Sequence, residues 1–175
     1  LRDGMYMDTV SNAFVPTHYS AGKWITSTMG GKISMVDRRD VAEVAAKVLT
    51  SKGHENKIYN VTGTDTWSFQ DIANLCEEIC GKPVPIYEVS DQEFWDLMKG
   101  AGIPEDSLQE FNVNGIEWCL KDIMSGEVEI RKGTFDVTSN DIETILGRPA
   151  KNLREFMWDR ADQIRETVKN ISASQ

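Results

Sequence analysis

The sequence contains few residues of the kinds that build disulfide scaffolds and metal sites, with three cysteines and two histidines among 175 residues. A structural zinc site ordinarily needs four such ligands, and Cys76 and Cys80, one helical turn apart, have no second pair to complete one. Both are better explained as small buried side chains. An odd number of cysteines in a chain long enough to pack without cross-links indicates a reducing, cytoplasmic environment. We therefore expect no metal site.

The sequence also lacks long apolar runs and the common phosphate-binding signatures. About 18 consecutive apolar residues mark a membrane-spanning helix, and no such stretch occurs. Neither G-x-x-x-x-G-K-[ST] nor a G-x-G-x-x-G motif between a strand and a helix is present, so no dinucleotide loop is expected within this chain. The motif G-x-S-x-G is absent too, and neither histidine lies near a nucleophile, which disfavours a Ser-His-Asp hydrolase.

Positive charge is scarce, with 19 Lys and Arg against 28 Asp and Glu and a net charge of −9. A protein with this charge repels phosphate backbones and anionic lipid unless its basic residues cluster. The one tight basic pair, Arg38-Arg39, is flanked by Asp37 and Asp40. The composition therefore predicts neither a nucleic-acid partner nor a membrane partner.

What the sequence does contain is an alternation of helices and strands. Residues 1–14 show no clean period, and two short strands flank a turn at Gly30-Gly31. Capping residues and hydrophobic spacing then predict further segments. In chain order these are a helix from an N-cap at Asp40 to Gly53, a strand over 57–62, a helix from Ser68 to Gly81, a strand over 84–89, and a helix from Ser90 to Gly100 or Gly102.

The last third of the chain predicts helices only. Apolar spacing from Leu108 to Ile123 favours one long helix or two short ones, broken near residues 112–115. A short helix ends at Gly147, and a last one begins at Asn152. The whole pattern indicates an α/β fold with parallel pairing, because helices separate successive strands. The two predicted central strands are few for a parallel sheet, so the pattern predicts an incomplete sheet.

Several aromatic residues fall outside the regular apolar faces. Aromatic side chains beside irregular backbone can line a pocket for a flat ligand, although packing is the simpler explanation for each. The residues concerned are Tyr6, Phe14, Trp24, Phe94, Trp95, Trp118 and Trp158.

Read in order, a series of landmarks resembles the NmrA-like atypical short-chain dehydrogenases/reductases. The opening LRDGMYMD is similar to their LR-x-G-x-Y-x-[DN] stretch, and VDRRDVA at 36–42 to their V-x-R-x-D-[VI]-A helix start. Residues 49–63 and 68–84 match a strand, a helix and a further strand of that family. The segments FDVTSND at 135–141 and LGRP at 146–149, with Phe156, fit its C-terminal signature. Singly each motif is weak, but together they cover nearly all of the chain.

The resemblance implies a fold and a domain organisation. In these proteins a first half carries the glycine-rich cofactor loop, and a second half closes the sheet and builds a small helical substrate lobe. This sequence is similar to the second half only. We therefore expect residues 1–175 to form the C-terminal part of a Rossmann-like parallel sheet plus a small, mostly helical substrate lobe, without the dinucleotide-binding half.

The resemblance also implies site residues. Asp3, Gly4 and Tyr6 would lie beside the nicotinamide of NADP or NAD, and Tyr6, Met7 and Phe14 would face the substrate. Ligands of open α/β sheets gather at the carboxyl ends of the strands, which is where the backbone after Arg2 would emerge. Relatives often have Asn where Asp3 stands. No catalytic acid is identified.

By this resemblance the chain is the substrate-binding portion of an NAD(P)H-dependent reductase that acts on a quinone-like or other conjugated small-molecule acceptor, and it should be inactive alone. The alternative is a non-enzymatic NAD(P)-sensing regulator that acts through protein contacts, because fold resemblance does not settle function. A third expectation is self-association, since unpaired strand edges invite pairing with another chain.

Overall fold

The computed structural model describes residues 1–106, 112–113 and 116–174, and within these ranges strands and helices alternate. The strands are β1 (Arg2–Asp3), β2 (Met5–Tyr6), β3 (Trp24–Thr26), β4 (Lys32–Val36), β5 (Asn60–Val61), β6 (Thr66–Ser68), β7 (Ile86–Glu88), β8 (Asn112–Val113) and β9 (Ile116–Glu117). The helices are α1 (Val15–Ala21), preceded by a π-helical turn (Val10–Phe14), α2 (Arg38–Thr50), α3 (Phe69–Cys80), α4 (Asp91–Gly100), α5 (Leu120–Arg131), α6 (Asp141–Leu146), α7 (Leu153–Trp158) and α8 (Ala161–Ala173).

Three of the strand pairs are parallel, as the alternating pattern predicts. Strand β1 pairs with β5, β2 with β4, and β3 with β7, while β4 also pairs antiparallel with β6. Each parallel partner is reached through at least one intervening helix, as a parallel connection requires. The α/β class is therefore confirmed. The strands that flank Gly30 are also present, but they pair with other strands and do not form a hairpin with each other.

Helix α3 is the element in which local sequence signals agree best with the structure. Ser68 and Asp71 form a reciprocal capping box, and Gly81 ends the helix in the left-handed conformation, with φ of 70°. The apolar residues predicted to share one face are all buried: Phe69, Ile72, Ala73, Cys76 and Ile79.

Several boundaries differ from the sequence predictions. The strands predicted over 57–62 and 84–89 are shorter, at Asn60–Val61 and Ile86–Glu88. Helix α2 has Asp37, not Asp40, as its N-cap, because the Asp37 carboxylate accepts from the backbone N–H of Arg39 at 2.9 Å. The last helix is two helices, α7 and α8, separated at Asp159 and Arg160. The prediction of helix is wrong at Ile116–Glu117, because β9 pairs antiparallel there with β8, next to the break predicted near 112–115. The part of that prediction over 107–111 lies outside the described residues.

The buried side chains form two groups. The large core joins the π-helical turn, β3, β4, α1, α3, α5, α7 and α8, and in the described ranges it contains 23 buried residues, among them Phe156, Leu153 and Ile72. The small core lies between α2, α6 and the ends of β4 and β5. Its members are Val36, Val44, Val61 and Ile142. All three cysteines are free, and Cys76 and Cys119 are buried. Over the described ranges, no helix combines the length and the apolar character that crossing a bilayer requires.

Candidate ligand-binding cavity

A cavity of about 370 Å³ opens beside the large core, a volume within the range of small-molecule sites. Its walls come from β2, the π-helical turn, α1, β3, α3, α4, β9 and α5. Most of the lining is apolar. The polar side chains that reach it are Thr9, Thr17, His18, Glu117, Asp122 and Glu127.

Aromatic rings form one wall of this cavity. Phe14 contacts Trp24 and Phe69 edge-on, with ring centroids 5.3 and 5.5 Å away, and Trp24 lies 5.0 Å from Phe69. Trp118 stands 6.3 Å from Phe14. Rings held in this way offer faces and edges on which a flat conjugated molecule can pack. Of the seven aromatic residues singled out in the sequence, Phe14, Trp24, Phe94 and Trp118 line the cavity, whereas Tyr6, Trp95 and Trp158 do not.

The helix that follows β2 positions two of these lining residues. Phe14 ends the π-helical turn and His18 lies one turn later in α1, so that both face the same side. Pro16 occupies the first turn of α1, where a missing N–H costs nothing, and therefore does not interrupt the helix. Gly22 ends α1 in the left-handed conformation.

His18 is an uncharged polar group at the cavity. Its ring stacks on Trp24 with centroids 4.1 Å apart and planes 12° from parallel. Burial lowers the pKa of His18 from 6.5 to about 3. The imidazole is therefore neutral at physiological pH and can accept or donate one hydrogen bond without bringing a charge into the cavity.

Glu127 is the buried carboxyl group of the site. Its Oε2 accepts hydrogen bonds from the Thr26 hydroxyl and from the backbone N–H of Ser27, both at 2.6 Å. Burial raises the pKa of Glu127, and these two donors oppose the rise only in part. Helix α5 presents Glu127 and Gly126 side by side at the cavity.

The residues predicted to contact nicotinamide lie at the ends of β1 and β2. The Tyr6 hydroxyl donates to Asp3 Oδ2 at 3.2 Å, and the Arg38 guanidinium lies 4.9 Å from the centre of the Tyr6 ring. Partial burial and then the Asp3 carboxylate raise the pKa of Tyr6. A Cβ on Gly4 would lie 3.0 Å from the carbonyl oxygen of Ser34, so a glycine here lets two backbones approach.

The structure divides the predicted site residues among three places. Asp3, Gly4 and Tyr6 lie together at the strand ends, and Phe14 lines the cavity. Met7 is fully buried in the large core and is not part of the cavity wall. Sequence reasoning missed His18 and Glu127. The spacing of four residues between Phe14 and His18 indicates that His18 shares a helix face with Phe14. No local sequence feature indicates that Glu127 lines the cavity.

The described residues fit only one end of a dinucleotide. Asp3 and Tyr6 offer an exposed hydrogen-bonding pair, which suits a carboxamide or a ribose hydroxyl. A diphosphate needs clustered backbone N–H groups at a glycine-rich turn that leads into a helix, and the sequence has no such motif. Over the same ranges, no group of three or more His, Cys, Asp or Glu residues could hold a metal ion.

Comparison with known proteins gives related sequences, although no family model matches. Quinone oxidoreductase 2 of Escherichia coli is 28% identical over 155 residues, which are 89% of this chain and 50% of that protein. The NAD(P)H azoreductase of Xenophilus azovorans is 30% identical over 126 residues, or 72% of this chain and 40% of that one. The photosystem II assembly factor Ycf39 of Guillardia theta is 26% identical over 171 residues, 97% of this chain and 52% of that protein.

Solved structures agree with these relatives. Triphenylmethane reductase of Citrobacter sp., complexed with NADP(H), superposes with a TM-score of 0.73 at 28% identity, over 97% of this chain and 51% of that chain. The NADPH-dependent quinone oxidoreductase of Escherichia coli, complexed with NADPH, gives 0.75 at 26% identity, over 90% and 51%. The chain is homologous to NmrA-like atypical short-chain dehydrogenases/reductases over about half of their length. By this structural similarity the fold is a partial Rossmann-like one. The chain spans about half the length of the curated relatives it matches.

Proposed function

We propose that this chain is the acceptor-binding part of an NAD(P)H-dependent oxidoreductase that reduces a quinone-like or other conjugated small molecule. The observation that carries the proposal is the apolar cavity of about 370 Å³ with its aromatic wall. In this proposal residues 1–175 act as one C-terminal substrate-binding region. The names of two NmrA-like relatives, a quinone oxidoreductase and an azoreductase, support the same class of acceptor.

The cavity chemistry suits a flat, weakly polar ring system. Phe14, Trp24 and Trp118 supply apolar ring surface, and the neutral imidazole of His18 adds a polar atom without a charge. A conjugated ligand that fills such a space gains from burial of its apolar surface, at roughly 25 cal/mol per Å². Quinones and azo compounds combine these rings with a few hydrogen-bond acceptors.

The cofactor would be NADP or NAD, and two solved relatives were complexed with NADP(H) or NADPH. When bound, such a cofactor supplies hydride to the acceptor. In this chain Asp3, Gly4 and Tyr6 would contact its nicotinamide end. Because the chain has no glycine-rich diphosphate loop, we expect it to bind NADPH weakly and to be inactive alone.

The first test measures acceptor binding by the chain itself. Menadione, a neutral naphthoquinone, is titrated while the fluorescence of the cavity tryptophans Trp24 and Trp118 is followed. Gly126→Phe should weaken binding by at least about tenfold, because a Cβ at Gly126 meets nothing within 4 Å and a benzyl group there would occupy the cavity.

The matched control is Gly126→Ala, which adds only a methyl group. It should leave binding nearly unchanged and stabilise α5 by about 0.5–1 kcal/mol, because glycine is unfavourable within a helix. Failure of menadione, azo and triphenylmethane compounds to bind saturably would overturn the proposal. Calorimetric titration with NADPH checks the second expectation, and micromolar binding by this chain would contradict it.

A second candidate function is that of a non-enzymatic NAD(P)-sensing regulator that acts through protein contacts. The observation that favours it is the match to an assembly factor, Ycf39, over 97% of this chain. Steady-state assays on a protein in which this region is joined to a cofactor-binding half separate the candidates. A reductase consumes NADPH when a quinone is present, whereas a sensor binds NADPH and shows no turnover.

The strand edges support a third proposal, self-association of this chain. In the described ranges β1 pairs with β5 on one side only, which leaves one edge without a partner strand. Light scattering as a function of concentration tests this, and a monomer at high concentration would rule it out.

A further inference from the structure

Glu127 is a carboxyl group in an unusual place for a charged side chain. It is 7% exposed, it lines the apolar cavity, and it lies among aliphatic residues of α5 such as Ile123 and Ile130. Burying a carboxylate is costly unless the charge is paired, so these surroundings raise the pKa of Glu127 and shift its equilibrium toward the neutral, protonated form. A protonated carboxyl group is a hydrogen-bond donor.

The hydrogen bonds of Glu127 fix its orientation through one oxygen only. The Thr26 hydroxyl and the Ser27 N–H both reach Oε2, each at 2.6 Å. Within the described part of the chain, no hydrogen bond reaches Oε1. The group is therefore held firmly at one oxygen, while the other can serve a ligand in the cavity.

The charges around Glu127 do not neutralise it. Arg131, one turn later on α5, is engaged in a two-point ion pair with Asp91 of α4, at 2.7 and 2.8 Å. Glu88 of β7 adds negative charge and raises the pKa of Glu127 further, whereas Arg131 lowers it. The other titratable groups at the cavity are Glu117, Asp122 and the neutral His18.

We propose that protonated Glu127 donates a hydrogen bond to a carbonyl oxygen of the bound acceptor and supplies the proton that completes its reduction. A quinone that gains a hydride, with its electron pair, from a reduced nicotinamide dinucleotide becomes a hydroquinone monoanion. Glu127 transfers its proton to the anionic oxygen, which yields the neutral hydroquinone and leaves the Glu127 carboxylate, and solvent then reprotonates the carboxylate. This inference rests on the proposed function.

The competing explanation is that Glu127 only anchors the backbone after β3. An anchoring role uses only Oε2, as a hydrogen-bond acceptor, and does not depend on whether the ligand has a carbonyl group. A donor role makes ligand binding depend on pH, and only for ligands with a carbonyl group. The two roles therefore differ in a measurement that needs no turnover.

The experiment compares menadione with methylnaphthalene, which has the same ring system without carbonyl groups, in a pH series that starts at 4.5, the ordinary pKa of a glutamic acid, and runs upward. As pH rises through the raised pKa of Glu127, the donor is lost and menadione affinity should fall by about tenfold, the effect of one hydrogen bond. Methylnaphthalene affinity should not change. Glu127→Gln retains a donor and an acceptor but does not titrate, so its menadione affinity should be independent of pH.

Two further variants sharpen the result. Glu166→Gln removes an exposed carboxyl group of α8 and should keep the pH profile of the unchanged chain. Thr26→Val removes a donor that stabilises the Glu127 carboxylate, so the midpoint of the profile should move to higher pH. An infrared band of a protonated carboxyl group, absent in Glu127→Gln and shifted by menadione, gives a readout on the unchanged chain should a variant fold poorly.

The outcomes separate the inference from the function on which it rests. If neither compound binds, the proposed function fails. If menadione binds with a pH profile that Glu127→Gln does not alter, or with no pH dependence and no protonated carboxyl band, the assignment to Glu127 fails and the cavity function stands. In a protein that turns over, Glu127→Gln should lower kcat by about 10²–10⁴-fold with little change in KM, because a general acid acts in the transition state.

Discussion

The large and the small core are built on different physical principles. The large core buries aromatic and long aliphatic side chains from eight elements, the π-helical turn included, and still leaves a cavity open against Phe14 and Trp24. The small core has four fully buried aliphatic residues and is surrounded by polar bridges. Asp141 accepts from the N–H of Asn60 at 2.7 Å, and Arg148 donates to Asp40 at 2.8 Å.

The two cores show what apolar burial and polar contacts each contribute to the structure. The free energy gained from apolar burial is roughly proportional to the area buried. An open space at the edge of the large core therefore removes only the contribution of the area left exposed there. Polar bridges need defined geometry, so the small core fixes α2, α6 and β5 relative to one another near the strand ends that carry Asp3 and Tyr6. Changes in the large core should therefore cost more free energy than changes in the small core.

Phe156→Ala should have the largest effect. Phe156 is fully buried in the large core, and the Arg160 guanidinium lies 3.6 Å from its ring centre. The variant loses burial and creates a cavity, which should reduce the free energy of unfolding by about 3–5 kcal/mol. Trp158→Ala on the same helix is the control, because Trp158 is 43% exposed and should cost about 1 kcal/mol. Urea unfolding measures both, and equal losses would contradict the comparison.

His18→Phe should change how stability depends on pH. Below its ordinary pKa of 6.5 the unfolded chain protonates His18, whereas the folded chain resists protonation down to about pH 3. The free energy of unfolding should therefore fall as pH drops from 6.5 toward 3. The expected fall is about 2–4 kcal/mol, less than the full pKa difference would give, because solvent partly reaches the ring.

Phenylalanine keeps the stacking on Trp24 and cannot titrate, so His18→Phe should remove this part of the slope. His54→Phe, at a histidine distant from the large core, is the control and should keep it. Unfolding curves at several pH values measure the difference. A slope that both variants share with the unchanged chain would show that His18 titrates freely in the folded state.

Arg148→Met should have the smallest effect of the three and tests the small core. The Asp40 side chain is only 4% exposed and would lose its cationic partner, while Arg148 itself is 41% exposed. The expected loss is about 2 kcal/mol, less than for a fully buried pair. Arg154→Met breaks a surface pair with Glu78 in which both side chains are about half exposed, and it should cost under about 1 kcal/mol. If the two losses are alike, the polar bridges do not hold the small core.

How far the sequence predicted the fold depends on how local each signal was. Helix α3 was predictable from end to end, because its capping box and Gly81 lie within the segment that they delimit. The pairing of β8 with β9 was missed, although Asn114-Gly115 between them in the sequence is a strong hairpin signal. The break between α7 and α8 has neither glycine nor proline, and the residues on its two sides, Met157 and Ala161, are both buried in the large core.

The candidate site was less predictable, because distant segments build it. Phe14 and Glu127 are 113 positions apart in the sequence and line the same cavity. Nothing local to Glu127 distinguishes it from the exposed glutamates of other helices. The family resemblance directed attention to the strand ends at Asp3 and Tyr6, and their role there remains a prediction. Met7, expected to face the substrate, contributes to the large core instead of the cavity wall.

The π-helical turn at Val10–Phe14 makes the cavity adjustable by a very small genetic change. Such a turn holds one residue more than an ordinary helical turn. Deleting a single codon there would restore regular winding and leave the preceding segment in nearly the same orientation relative to α1, because the wider turn already absorbs the extra residue. Length variation at this one place thus changes which side chains line the candidate cavity while the sheet and the remaining helices stay as they are.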